Sequence, residues 1–122
     1  MNIENLIPKD KFDIETAEKL KNYSFEEIKP IIPNLLEWLQ DLNWPVSQLI
    51  ADFLLPFSEN IALEILKILQ GHDEMWKYWI LLVFGKIIKN EIVIKEIKRI
   101  AQNPTLAEIE AEVYELAKEI VQ

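Results

Sequence analysis

The sequence predicts an all-α fold, a small HEAT-like, right-handed stack of about three antiparallel helix pairs behind a short helical lead-in. Three observations carry this. Apolar residues recur at helical spacing through nearly the whole chain. The stretch Leu35–Val46 is echoed later: Gln40 aligns with Gln70, and with Gly71 and His72 as added residues Asp41 falls on Asp73 and Trp44 on Trp76. A fainter third copy ends at Gln102. Self-similarity at a period of about 30 residues marks stacked helical repeats, although HEAT repeats run longer, at about 40–47. Finally, the β-rich run Ile92-Val93-Ile94 lies inside helical periodicity, so no strand is expected.

Taken in order, Met1–Lys11 reads as a loosely held arm. Asp13 is placed to cap a helix to about Asn22, with Glu15 favourable in its first turn. Ser24 and Glu27 have capping-box spacing. Pro30 and Pro33 lack amide hydrogens and break or restart the chain. The first repeat helix is expected from about Pro33 to Leu42, and Pro45 opens the next, with Val46, Leu49, Ile50, Phe53 and Leu54 on one face. Asn60–Gln70 follows, buried on most sides, with Gly71 suited to a left-handed position after its end. Asp73 caps a helix from Glu74 to about Lys89, the most apolar of all and therefore expected at the centre. Glu91–Asn103 is amphipathic. Thr105 and Glu108 form a second capping box. Leu106, Ile109, Val113, Leu116 and Ile120 then make one apolar stripe, with Glu108, Glu110, Glu112, Glu115 and Glu119 outside, as a terminal cap requires.

The 122 residues fit one domain over 1–122, half of them hydrophobic, with four Trp and only two Gly. Cysteine is absent, which excludes disulfides, thiolate zinc sites and thiol nucleophiles. The amino terminus has no basic segment followed by an apolar run, so a cytoplasmic location is expected. Trp79–Phe84, the most apolar run, is far short of the ~20 residues of a membrane span. Net charge is −8, with a single Arg, Arg99. Nucleic-acid binding draws on clustered Lys and Arg and is not expected; a protein partner with a basic surface is.

Motifs for chemistry are sparse. His72 is alone in a loop, and neither a di-iron Glu-x-x-His nor a zinc ligand set exists, so no metal or cofactor is expected. There is no phosphate loop and no nucleophile elbow. The carboxylates at 108, 112, 115 and 119 read as a solvated helix face. The aromatics are more informative. Trp38 and Trp79 suit a core. Trp44 and Trp76 each follow an acid by three positions at a helix start. Either they staple the turns, or they line one edge of the stack. In the second reading Asp41, Asn43, Trp44, Asp73, Glu74, Trp76, Lys77 and Tyr78 form an acidic, aromatic patch, and Trp and Tyr are enriched at binding hot spots.

Trp38-Leu-Gln-Asp-Leu-Asn-Trp-Pro-Val46, Asp73-Glu-Met-Trp-Lys-Tyr-Trp79 and Arg99-Ile-Ala-Gln-Asn-Pro-Thr105 resemble a set of short, mostly bacterial proteins catalogued as domain of unknown function 5071. The resemblance covers nearly the whole chain. It implies an all-helical, HEAT-like domain and no particular activity. HEAT-like DNA glycosylases are a looser analogy, and the chain is too short, too acidic and too poor in Arg to match them.

The expected function is therefore that of a non-catalytic protein-binding module, an adaptor or immunity-type protein, rather than an enzyme. The alternative is a small-ligand binder or enzyme with a pocket near Asp73, Tyr78 and Arg99, since Arg is favoured for bidentate anion recognition.

Overall fold

The computed structural model describes residues 2–122; Met1, the first residue of the expected arm, lies outside them. The described residues form helices and turns, with no strand among them. None of these helices is long and apolar enough to cross a membrane. The chain divides into two compact units, one ending at Phe57 and one running Ser58–Gln122.

In the first unit, the segment expected as a loosely held arm is tied down at several points. Asn2 caps a 3-10 turn at Ile3–Leu6, and Leu6 is buried. The Lys9 amide donates to Asp13 Oδ2 at 2.9 Å, and the Lys11 carbonyl accepts from the Val46 amide at 3.1 Å. Asp13 caps α1 (Ile14–Lys19) by accepting from the Thr16 amide, and a 3-10 turn extends it to Asn22. The Ser24–Glu27 capping box forms in both directions at the start of α2 (Phe25–Ile28). Pro30 follows in a 3-10 turn, and Pro33 sits in the first turn of α3 (Ile32–Glu37). This helix stops short of the expected Leu42. After a 3-10 turn at Trp38–Gln40 the backbone becomes extended at Asp41. Local bonds compete with the helix there: Asp41 Oδ1 accepts from the Asn43 amide, and Ser47 Oγ donates to the Trp38 carbonyl. Pro45 then opens α4 (Pro45–Leu54) as its first residue. The helix buries Val46, Ile50, Ala51 and Leu54, and Phe57, just beyond it, meets the rings of Phe25 and Phe53.

The second unit holds α5 (Ala62–Leu69), α6 (Glu74–Phe84), α7 (Glu91–Gln102), α8 (Leu106–Glu110) and α9 (Val113–Val121). Helix α5 packs on α6 and α7, and α9 packs on α6, α7 and α8. This two-by-two packing is compatible with a HEAT-like stack. Asp73 and Asn90 cap α6 and α7 through their side chains.

Four expectations are corrected in this unit. Helix α5 is not buried on most sides, since Leu63 is 63% exposed. Gly71 does not take a left-handed conformation; among the described residues the positive φ belongs to Glu112, at 65°. That residue breaks the terminal helix into α8 and α9, so one stripe becomes two. Val113 and Leu116 stay buried, Leu106 is 70% and Ile109 46% exposed, and Glu108 turns inward. Helix α6 ends at Phe84 rather than near Lys89, and it is not apolar on its buried side throughout. It buries Lys77 with Ile80, Leu81 and Phe84, and leaves Met75 and Leu82 exposed. Gly85 follows α6 where Ile120 closes in: a Cβ there would lie 2.5 Å from Ile120 Cδ1.

Candidate functional site

All four tryptophans are half-buried, so the division into core Trp38 and Trp79 and edge Trp44 and Trp76 does not hold. In the first unit Trp44 is the residue before α4, and its amide donates to the Asp41 carbonyl at 3.2 Å. Its ring meets Trp38 edge to face, with centroids 5.6 Å apart and planes at 78°. Beside this pair lies a cavity of about 300 Å³, lined by Ile7, Pro8, Asn34, Glu37, Trp38, Gln40 and Trp44. Asn43 is exposed and Asp41 half-exposed on the same turn. This cleft was not legible in the sequence as a whole, because the arm supplies Ile7 and Pro8 from far along the chain. Of its walls only Trp44 was singled out as an edge residue.

In the second unit, Asp73 is exposed and accepts from the Trp76 amide at 3.1 Å. Trp76 occupies the first turn of α6. Tyr78 meets Trp79 edge to face at 5.3 Å and lines a small cavity with Glu112, Glu115, Leu116 and Glu119. His72 is exposed in its loop. Among the described residues no group of three or more His, Asp or Glu is placed to hold a metal ion.

Glu74 pairs with Lys77, and Lys77 and Arg99 both meet Glu108, which the sequence did not bring together with them. Lys77 is 3% exposed and Glu108 fully buried. Lys77 Nζ lies 3.0 Å from both Glu74 Oε2 and Glu108 Oε2. Arg99 grips Glu108 with two parallel bonds of 2.7 Å, and donates to Glu96 Oε2 at 2.8 Å and to the Asn103 carbonyl at 3.4 Å. The Thr105 amide adds a bond of 2.8 Å to Glu108 Oε1. Burial alone would raise the Glu108 carboxyl; the bonds from Arg99, Thr105 and Lys77 outweigh it and hold the group at about 2. The same carboxylates, Glu108 first, raise the Arg99 guanidinium above its ordinary value. Chemically this is a clamp joining α6, α7 and α8, in which Lys77 and Arg99 are turned onto carboxylates and Glu74 Oε1 is left buried without a hydrogen-bond partner. The available signal was Lys77 itself, a cation amid the most apolar helix; a buried lysine demands a buried acid.

The clamp is therefore scaffold, and the Trp38–Trp44 cleft is the open, chemically distinctive feature of its unit. No curated protein matches the chain. The family model for a domain of unknown function, number 5071, matches residues 6–121, from the buried Leu6 to the end of α9. With the match spanning nearly its whole length, the chain belongs to the domain of unknown function 5071 family.

Proposed function

We propose that the chain is a non-catalytic protein-binding module of the bacterial cytoplasm, an adaptor or immunity-type protein, which offers the Trp38–Trp44 cleft to a basic partner. One observation carries this reading. Two half-buried indoles stand edge to face beside a cavity of about 300 Å³, and none of its lining residues is basic. Tryptophan is enriched at interface hot spots, where it contributes large contact area at low entropic cost. The net charge of −8 steers a basic partner toward the chain. Asp41 and Asn43 lie on the turn that leads to Trp44 and outside the cavity lining, while Glu74 and Lys77 belong to the clamp. A ligand or enzyme reading around Asp73, Tyr78 and Arg99 draws no support, because the Arg99 donors are spent on Glu96, Glu108 and Asn103.

The test is selection of random displayed peptides on the full chain, followed by binding to Trp44→Ala with its folding checked by circular dichroism. Net-basic peptides should enrich and should lose the Trp44→Ala variant. Should that variant unfold, Glu37→Gln at an exposed wall position serves instead. No enrichment, or peptides indifferent to both changes, would overturn the proposal.

A further inference from the structure

We infer that the cleft takes an arginine side chain of the partner, its guanidinium held against the Trp38–Trp44 pair and paired with Glu37. The inference rests on the binding-module reading and names the chemistry of its central contact.

Size comes first. Ligand pockets run from about 300 to 1,000 Å³, so a cavity of about 300 Å³ admits one side chain or head group and excludes a large cofactor. Sign comes next. Glu37 is the one charged residue of the lining, it is exposed, and the other lining residues with polar side chains besides the two tryptophans are Asn34 and Gln40. An anion would find a carboxylate and no cation; a cation finds a carboxylate and two indoles. Trp is the strongest aromatic partner for a cation over its face. The rings meet edge to face at 78° and do not stack into parallel walls.

Shape then separates the cations. An ammonium is compact and strongly hydrated and needs acceptors in several directions. The cleft supplies one carboxylate and flat aromatic walls. A guanidinium is planar and weakly hydrated, stacks on aromatic faces, and donates two parallel bonds to a single carboxylate. Asn34 and Gln40 each carry an amide oxygen for its remaining donors. A quaternary ammonium has no donor for Glu37 or for either amide, and two walls enclose it poorly.

The experiment titrates the isotope-labelled full chain with N-acetyl-arginine amide, its neutral citrulline isostere, N-acetyl-lysine amide and tetramethylammonium, following the indole NH signals. Arginine should shift Trp38 and Trp44 and bind at least about tenfold tighter than citrulline, since the isostere keeps shape and loses charge. Glu37→Gln should weaken arginine several-fold and leave the unliganded indole signals in place. Equal responses to arginine and citrulline would overturn the inference, as would lysine or tetramethylammonium binding as well as arginine, or shifts confined to other tryptophans. The two readings fail separately. Selected peptides that lack arginine yet need Trp44 would sink the arginine site and leave the module standing; no peptide needing Trp44 would remove both.

Discussion

In Asp41–Trp44 the tryptophan amide donates to the aspartate carbonyl, at 3.2 Å, and α4 begins only afterwards, at Pro45. In Asp73–Trp76 the tryptophan amide donates to the aspartate carboxylate, at 3.1 Å, and already lies inside α6. The two stretches share an Asp-x-x-Trp spacing, yet their helices start three residues apart in register, close to a full turn. Pro45 causes the offset. It is pre-set for the first helical position, so the residue before it, Trp44, becomes the cap and brings no acceptor. Without a proline, α6 starts directly after Asp73, whose carboxylate fills the cap. The consequences diverge from there. The first turn leaves an indole beside an open cleft. The second places Lys77 one turn into α6, where it meets Glu108 and becomes scaffold.

That contrast, open cleft against closed clamp, is testable by its energetics. The largest difference should separate Glu108→Gln from Glu37→Gln. Removing the buried carboxylate leaves Lys77 with Glu74 alone and takes two of Arg99's bonds to a carboxylate, and should cost about 3–5 kcal/mol in urea unfolding. Neutralising the exposed wall residue should stay within about 0.5 kcal/mol. Equal costs would erase the distinction.

Acid should act on the clamp next. Glu108 has its folded value, about 2, below the ordinary 4.5. The stability it contributes is therefore complete above about 4.5 and is lost as pH falls through about 2. The amount is on the order of 3 kcal/mol. Unfolding free energy measured across that window should fall for the wild type, and Glu108→Gln should lack this component. Lys77→Met is a milder cut: Glu74 loses its ion pair, but it is the less buried of the two acids, Arg99 and Thr105 still serve Glu108, and the desolvated ammonium is removed as well. A loss of about 1–3 kcal/mol is expected, smaller than for Glu108→Gln.

The smallest comparison concerns the two aspartates. Asp73→Ala removes an N-cap and should cost about 1 kcal/mol. Asp41→Ala removes one exposed turn bond to Asn43 and should cost about half that or less. A reversal would mean that the first turn, not the second, is the folding device.

The features legible in the sequence were those set by neighbours in the chain. Asp13, Ser24 with Glu27, Asp73, Asn90 and Thr105 with Glu108 all act within three residues, and each sits at the start of a helix. Of these, Asn90 was missed, although its side-chain oxygen accepts from two amides of α7. What was not legible depends on distance along the chain or on a single dihedral. Lys77 finds Glu108 across 31 residues. The capping box at Thr105 was visible, but the left-handed Glu112 that follows was not, and it is this turn that separates buried Val113 from exposed Ile109. The cleft depends on the arm meeting α3 and the turn after it, and an arm read as loose predicts no cavity.

The most direct check on the account is residue-resolved mapping of a selected basic peptide on the labelled full chain, with backbone and indole signals followed together. Shifts centred on Asn34, Glu37, Trp38, Gln40 and Trp44, with Lys77, Arg99 and Glu108 undisturbed, are the predicted result. Shifts centred on Trp76 and Tyr78, with the Trp38–Trp44 pair unmoved, would contradict it and make the second turn the binding surface.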